Sequence, residues 1–259
     1  MRKALALLWL GLGALAQEVV VYPGFAEVKE PVHLPPSTWV YLAGEKLARI
    51  VPGSLRLLGV EEEERLYQGG AVLFRYRGEG EAWLRYLYTG LTGEVFYTLE
   101  EGRLWAWARL RLEGEALSPK RLTLLVGEVR APEAFGVALK ALEGPTENPY
   151  GLFRYELAPR RLLPGTTEVP FQKAVLAPER LLRYRGAFRP GPVLPLERGY
   201  RFPAPFPLAP GSLEVVEEGL FLGQALLPAT PEGQVAEVWL GRDLKARLTR
   251  AVSLLSQEE

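Results

Sequence analysis

The feature that most constrains this chain is a period-two alternation of apolar and polar residues. It recurs in short runs separated by Gly, Pro or Glu-Gly turns. Successive side chains of a β-strand point to opposite faces of a sheet, so each run predicts a strand with one buried face. The clearest runs are residues 72–77, 83–88, 94–98, 104–112, 122–126, 213–216 and 236–240. Many short strands with frequent turns predict an all-β protein, an antiparallel β-sandwich.

The strongest hairpin signal spans residues 95–114, where Glu101-Gly102 supplies a glycine for the positive φ of a tight turn. The second arm of this hairpin has a face that alternation assigns to the core: Leu104, Ala106, Ala108, Leu110 and Leu112. The opposite face, here called the Arg/Trp face, consists of Arg103, Trp105, Trp107, Arg109 and Arg111.

The Arg/Trp face is the candidate binding site of the sequence. Indole rings beside guanidinium groups stack on sugar rings or anchor protein interfaces, in which Trp and Arg are enriched. The alternative is that both indoles lie under a second sheet or an edge loop, with arginine stems covering their rims. The same interleaving of arginine with aromatic residues, at Arg75, Arg77, Arg85 and at tyrosines 76, 86 and 88, suggests a continuous surface over neighbouring strands.

Three further segments carry weaker signals. Residues 132–142 predict a short helix that begins at a proline. Residues 244–255 alternate at first, which favours a strand followed by a frayed tail over a helix. Residues 189–211 contain seven prolines and predict a surface connection or edge segment, because proline cannot donate to the hydrogen bonds of a central strand.

The N-terminus has the pattern of a secretory signal peptide. Arg2 and Lys3 precede a short apolar stretch that closes on Ala14-Leu15-Ala16, which predicts cleavage between Ala16 and Gln17 and a periplasmic or extracellular protein. We therefore expect a signal peptide at 1–16, a small N-terminal β module at 17–66 and a β-sandwich region at 67–259. A stretch rich in turn-forming residues inside the sandwich region suggests that it consists of two sub-sandwiches, which divide near 131–150.

Composition excludes most catalytic classes. The chain has no cysteine and a single histidine, His33, which predicts no metal site and no cofactor, and we expect His33 to be an exposed or hydrogen-bonded loop residue. The 31 basic residues balance the 31 acidic residues, which argues against nucleic acid as a partner. Asp243 is the only aspartate and Asn148 the only asparagine; this scarcity of thermolabile side chains suggests a thermophilic source.

Paired glutamates leave one enzymatic alternative open, since a glycoside hydrolase needs only two suitably spaced carboxylates. The run of glutamates at 61–64 draws attention by number alone, and we expect it to form a solvated turn. No other feature of the sequence selects a catalytic pair, and we name no catalytic residue.

Several small motifs near the C-terminus resemble a bacterial envelope family. They are the aromatic-x-Gly element Phe221-Leu222-Gly223, the turn Thr230-Pro231-Glu232-Gly233 and the strand end Leu240-Gly241. In this order they resemble the mucoidy-inhibitor-A-like family, a domain of unknown function numbered four-one-three-nine. Members of this family also have a small N-terminal β module, and residues 19–36 and 51–60 resemble that module. Where many members carry a long coiled coil, this chain has only residues 61–70.

The resemblance implies an exported, all-β, non-enzymatic protein without catalytic residues to carry over. The sequence as a whole therefore predicts a cell-envelope β-sandwich protein that binds another envelope protein or a surface glycan. The alternatives are a glycan hydrolase with paired glutamates and a purely structural envelope module.

Overall fold

The computed structural model describes residues 17–35, 39–43, 45–127, 129, 151–185 and 194–248. These residues form seventeen strands and one short 3-10 helix at Glu45–Arg49. The strands are β1 Gln17–Val21, β2 Ala26–Leu34, β3 Trp39–Ala43, β4 Arg56–Leu58, β5 Glu61–Gln68, β6 Ala71–Arg77, β7 Gly80–Tyr88, β8 Leu91–Glu100, β9 Arg103–Leu112, β10 Pro119–Val126, β11 Phe153–Leu157, β12 Gly165–Val175, β13 Glu179–Arg183, β14 Leu194–Pro203, β15 Gly211–Glu217, β16 Leu220–Leu227 and β17 Val235–Leu248.

The prediction of an all-β sandwich is confirmed, and every period-two run named above lies within a strand. Most neighbouring strands are antiparallel. Strand β1 pairs with β10 in parallel, and so does β8 with β15, and both pairs join segments that are distant along the chain. Turn signals identify hairpins between consecutive strands, so they gave no indication of these two pairs.

The chain divides into two compact units. Unit 1 lies within Met1–Val95, Trp107–Leu142 and Asn148–Phe171, and unit 2 lies within Phe96–Ala106, Glu143–Glu147 and Gln172–Glu259. Strands β1, β2 and β4 share a six-stranded sheet with β7, β10 and β11, in the order β11-β10-β1-β2-β7-β4. Strands on both sides of the boundary predicted after residue 66 thus belong to one sheet, and residue 66 itself lies inside β5.

The core of unit 1 forms where this sheet packs against the first part of β8 and the second part of β9. Gly93 of β8 marks the contact, because a Cβ placed on it would lie 2.8 Å from side-chain atoms of Val21 and Leu124 and 3.1 Å from Leu110. Those three side chains are buried. The two layers of the sandwich therefore meet at a position where only glycine fits without displacing core side chains.

Unit 2 contains a three-stranded sheet in the order β13-β14-β17. The sequence predicted that the proline-rich segment 189–211 could not supply a central strand, and this prediction is wrong, since β14 is the middle strand. Pro195 and Pro203 lie at its two ends, and the pairing with β17 shifts register next to Pro195. The intervening residues 196–202 contain no proline and form the ladder on both sides.

Strand β16 is an edge strand of the sheet β12-β9-β8-β15-β16. Its nearly continuous apolar sequence is typical of a strand covered on both faces, but Leu220, Phe221 and Leu226 are 64%, 63% and 63% exposed. An apolar run does not reveal whether a strand lies at the centre or at the edge of a sheet. The position in the sheet was decided by tertiary pairing.

The glutamates at 61–64 begin strand β5 and do not form the solvated turn that we expected. Strand β5 pairs with β6, and two arginines of β6 neutralise the carboxylates. Arg75 lies 2.9 Å from Glu63, and Arg77 lies 2.6 Å from Glu63 and 3.7 Å from Glu61. These cross-strand pairs offset the repulsion between neighbouring carboxylates, so the glutamates can form part of a strand.

Strand β17 extends through Leu248, as the alternation from residue 244 predicted, with a bulge where Leu196 pairs with Asp243 and Pro195 with Arg247. The Asp243 carboxylate accepts hydrogen bonds from the backbone N–H groups of Lys245 and Ala246 at 2.8 and 2.9 Å. Its role in this structure is therefore that of a turn aspartate. The predicted signal peptide, the helix at 132–142, the boundary near 131–150 and the tail after residue 248 lie outside the described residues.

Two hairpins of unit 2 turn through Glu-Gly pairs whose four residues all have positive φ. The predicted turn at Glu101-Gly102 has φ of 47° and 73°, and the turn at Glu218-Gly219 has φ of 50° and 71°. Two-residue hairpins of this kind require positive φ at both central positions. Glutamate is strained there, because an L-residue with a Cβ disfavours the left-handed region.

We expect Glu218→Asn to raise the free energy of unfolding by about 0.5–1 kcal/mol, because asparagine tolerates positive φ better than glutamate. Urea denaturation of the variant and the parent protein measures the change. Glu101→Asn is the matched control: the Glu101 carboxylate accepts a hydrogen bond from the backbone N–H of Glu218, and losing it offsets the relief of strain. An equal gain in both variants would contradict this account.

Candidate functional site

The Arg/Trp face lies on strand β9 as the sequence placed it. Leu104, Ala106, Ala108, Leu110 and Leu112 are buried, which confirms the predicted core face. On the opposite face Arg103 and Arg111 are exposed, whereas Trp105, Trp107 and Arg109 are half-buried. The indoles therefore lie neither in the fully buried core nor on a bare surface.

Arg109 is held by two carboxylates in unit 1. Its guanidinium donates to Glu94 at 2.7 Å and to Glu168 at 2.6 Å, so the side chain is fixed between β8 and β12. Hydrogen bonding to Glu168, followed by that to Glu94, raises the pKa of Arg109 above its usual value. A shallow pocket of about 310 Å³ lies beside it, lined also by Arg111, Thr92 and Thr166.

Arg111 gives this pocket its most accessible charge. The guanidinium is 3.2 Å from a carboxylate oxygen of Glu113, yet the side chain remains 69% exposed. An exposed ion pair is weak and rearranges at little cost. The pocket thus combines a fixed guanidinium, Arg109, with a movable one, a combination suited to a ligand with acceptor oxygens.

Trp105 belongs to unit 2. The Nζ atom of Lys173 lies 5.4 Å from the centroid of its ring, within the range of a cation–π interaction. Trp107 belongs to unit 1, together with Arg109 and Arg111. The residues of the predicted face are therefore divided between the two units, and its role in binding stays a prediction.

The suggested extension of this surface through tyrosines is wrong. Tyr76, Tyr86 and Tyr88 are buried, whereas Arg75 and Arg77 are exposed and paired with glutamates of β5. Adjacent residues of a strand point to opposite faces, so an arginine and the tyrosine next to it cannot share one surface. Arginines and tyrosines that alternate in the sequence therefore lie on opposite faces of the sheet.

One of these tyrosines belongs to a buried polar cluster that sequence reasoning missed. The Glu30 carboxylate of β2 accepts hydrogen bonds from Lys46, from the Tyr86 hydroxyl and from Gln17 Nε2, the last at 3.0 Å. Burial and the adjacent Glu30 carboxylate raise the pKa of Tyr86 well above its usual value. The only sequence signal was the inward register of Glu30 between Val28 and Val32.

A second missed cluster lies in unit 2, at a cavity of about 220 Å³ lined by Arg180, Arg198, Tyr200, Glu217 and Asp243. These residues come from four strands, so no linear pattern announces the cluster. On β13, Arg183 also stacks on Trp239, with the guanidinium carbon 3.7 Å from the ring centroid.

The remaining sequence candidates show no catalytic arrangement. His33 lies in β2, not in a loop, with 74% of its side chain exposed and its Nδ1 atom 3.2 Å from Glu81. Across the described ranges, no three His, Cys, Asp or Glu side chains cluster as metal ligands would. In the same part of the chain no helix has the length and apolar character needed to cross a membrane.

Comparisons of the chain with family models, with curated proteins and with solved structures find no match. The resemblance to the envelope family therefore stays a prediction that depends on the C-terminal motifs. Among them, Thr230-Pro231-Glu232-Gly233 forms a turn closed by a hydrogen bond from the N–H of Gln234 to the carbonyl oxygen of Pro231 at 3.1 Å.

Proposed function

We propose that this chain is an exported, non-enzymatic protein of the cell envelope that binds another envelope protein or a surface glycan through the Arg/Trp face of β9. One observation carries the proposal. Alternate residues of β9 are fully buried, whereas Trp105 and Trp107 keep part of their surface accessible. The accessible part of the two rings offers a stacking surface outside the strand's own core.

The charged residues beside the indoles favour a ligand rich in oxygen atoms. Arg109 is held rigid by Glu94 and Glu168, so ordering it on binding costs little side-chain entropy. Arg111 and Thr166 add accessible donors at the same pocket. Sugar hydroxyl groups and backbone carbonyls of a partner protein both supply the acceptors that such donors need.

The location in the envelope is supported by the sequence. The signal-peptide pattern at 1–16 predicts export, and the motifs from Phe221 to Gly241 resemble an envelope family. The absence of cysteine is compatible with an oxidising compartment, since no thiol is exposed to it. N-terminal sequencing of the protein secreted by a suitable host tests this proposal: a mature chain that begins at Gln17 would support it, and retention of Met1 would contradict it.

We expect Trp105→Ala combined with Trp107→Ala to abolish capture of the partner, because stacking surface at both positions is lost. The measurement is capture of envelope polysaccharide and envelope proteins by the immobilised chain, together with thermal unfolding of both proteins. Since half-buried side chains contribute less than core ones, the melting temperature should change by only a few degrees.

Trp83→Ala serves as the matched control for this double variant, because Trp83 is an accessible tryptophan on β7 and lies outside the Arg/Trp face. It should leave capture unchanged. A loss of about 3–5 kcal/mol in the double variant, the cost of an emptied core site, would show that the indoles serve packing. Capture that survives the double substitution would also overturn the proposal.

The capture experiment with envelope polysaccharide also distinguishes binding from glycan hydrolysis. We expect polysaccharide to be recovered uncut over a broad pH range, since Glu94 and Glu168, the two carboxylates that contact the Arg/Trp face at Arg109, both accept hydrogen bonds from its guanidinium. Shortened products that disappear with Glu94→Gln or Glu168→Gln would establish the hydrolase instead.

A further inference from the structure

The cavity of unit 2 named above has an unequal distribution of hydrogen-bond partners. Its two carboxylates already accept hydrogen bonds, Glu217 through both oxygens and Asp243 through Oδ1. The Glu217 carboxylate binds the Arg180 guanidinium through two hydrogen bonds of 2.7 and 3.2 Å. The Asp243 carboxylate accepts from two backbone N–H groups, and these bonds lower the pKa of Asp243.

Two donors on the cavity wall, by contrast, have no partner within the described part of the chain. They are the hydroxyl of Tyr200 and the Nε–H of Arg198, both shielded from solvent. Tyr200 and Arg198 are two residues apart on β14, so their side chains project to the same face of the sheet. Buried polar atoms in native proteins nearly always have a partner, and an orphan donor therefore indicates an absent acceptor.

The phenol of Tyr200 stays a donor over the usual pH range. Burial, followed by the adjacent Glu217 carboxylate, raises the pKa of Tyr200 to about 12, although no hydrogen bond of normal geometry joins the two groups. Only 1% of Tyr200 is exposed, so bulk water does not satisfy its hydroxyl. Arg198 can likewise only donate, because a guanidinium group has no acceptor atom.

The charges around the cavity limit which classes of ligand it can bind. Arg180 is compensated by Glu217, whereas Arg198 has no carboxylate within ion-pair distance among the described residues. The charge of Arg198 helps to lower the pKa of Asp243, but the guanidinium has no ion-pair partner of its own in the described ranges and therefore favours an anionic acceptor. The carboxylates of Glu217 and Asp243 in the same wall oppose a dianion such as phosphate.

We propose that this cavity binds a carboxylate group, with one oxygen accepting from Arg198 Nε–H and from the Tyr200 hydroxyl. A volume of about 220 Å³ accommodates a small organic acid or one acidic sugar residue. Either source supplies the same monovalent group with acceptor oxygens. The site shares no residue with the Arg/Trp face, so it stands or falls independently of the proposed function.

Nuclear magnetic resonance titration of the ¹⁵N-labelled chain tests the proposal, with acetate, D-glucuronate and the neutral methyl β-D-glucoside as probes. We expect both carboxylates, and not the glucoside, to shift the amide signals of residues around Arg198 and Tyr200. Tighter binding of glucuronate than of acetate would identify an acidic glycan as the source, and equal binding would identify a small organic acid.

Substitutions at the two donors should weaken binding without unfolding the chain. Arg198→Met is expected to raise the Kd for glucuronate about 10- to 100-fold, since it removes a charged hydrogen bond. Tyr200→Phe is expected to raise it about two- to tenfold while leaving the melting temperature unchanged or higher, because the orphan hydroxyl is removed. The second variant keeps the test decisive if the first fails to fold.

Arg201→Met is the matched control. Arg201 is the next arginine of β14, points to the other face and is paired with Glu237 at 3.0 Å. It should leave the Kd unchanged. The proposal is overturned if the control weakens binding as much as Arg198→Met, if the glucoside binds as well as glucuronate, or if no probe shifts these signals, in which case a water molecule satisfies the two donors.

Discussion

Replacing Lys46 by methionine is expected to lower the free energy of unfolding by about 3–5 kcal/mol, because it leaves the Glu30 carboxylate buried without a counter-charge. The Glu30 and Lys46 side chains are only 3% and 14% exposed, and each has the other as its ion-pair partner. Methionine keeps most of the volume of lysine, so the loss reports on charge and not on a cavity. Denaturation in urea, monitored by circular dichroism, measures the difference.

Lys29→Met provides the comparison for this variant. Lys29 lies 3.6 Å from Glu27 on the same strand, but the lysine is 38% exposed, so its ion pair should contribute at most about 1 kcal/mol. Replacing Glu30 and Lys46 together by Leu and Met should recover most of the lost stability, since neither charge is then left alone. Equal losses from the two single lysine variants would show that burial of Glu30 is not the cause.

The second large effect concerns the core of unit 2. Phe202→Ala is expected to lower the free energy of unfolding by about 3–5 kcal/mol, because it empties a fully buried site on the central strand β14. Its Cα partner across the sheet is Ala236 of β17, which is too small to fill the space. Differential scanning calorimetry would record the loss as a lower melting temperature.

Phe221→Ala is the matched control for Phe202→Ala. Phe221 lies on the edge strand β16 with most of its ring exposed, so its removal should change stability by less than about 0.5 kcal/mol. Phe202 follows Arg201 in the sequence and Phe221 lies in an apolar run, yet their places in the sheet make Phe202 the buried one. If Phe221→Ala were as costly as Phe202→Ala, β16 would have to be covered on both faces after all.

Period-two alternation made seven of the seventeen described strands predictable, β6 to β10, β15 and β17. The reason is clear in residues 104–112. Alternation puts all the apolar residues on one face of the strand, so burying that face fixes the orientation of every side chain. The turn at Glu101-Gly102 was also predictable from local sequence, because a two-residue hairpin requires a residue that accepts positive φ and glycine does so.

Most of the errors arose where pairing with strands distant in sequence decides the outcome, and one arose because the alternation within a strand was overlooked. The glutamates of β5 form a strand because Arg75 and Arg77 of β6 lie opposite them. The proline-rich segment supplies a central strand because its prolines fall at the ends of the paired region. The tyrosines beside arginines are core residues, which alternation itself implied and which the residue types obscured.

The sequence by itself determined the all-β class, the core face of β9 and the composition of the candidate Arg/Trp face. These features depend on residues within one strand, whose geometry is fixed by the backbone. Tertiary structure alone decided that Glu30, Lys46 and Tyr86 form one buried cluster and that Arg198 and Tyr200 share a cavity with Glu217. Such clusters require strands far apart in the chain to lie side by side, and the order of strands in a sheet leaves no periodic trace in the sequence.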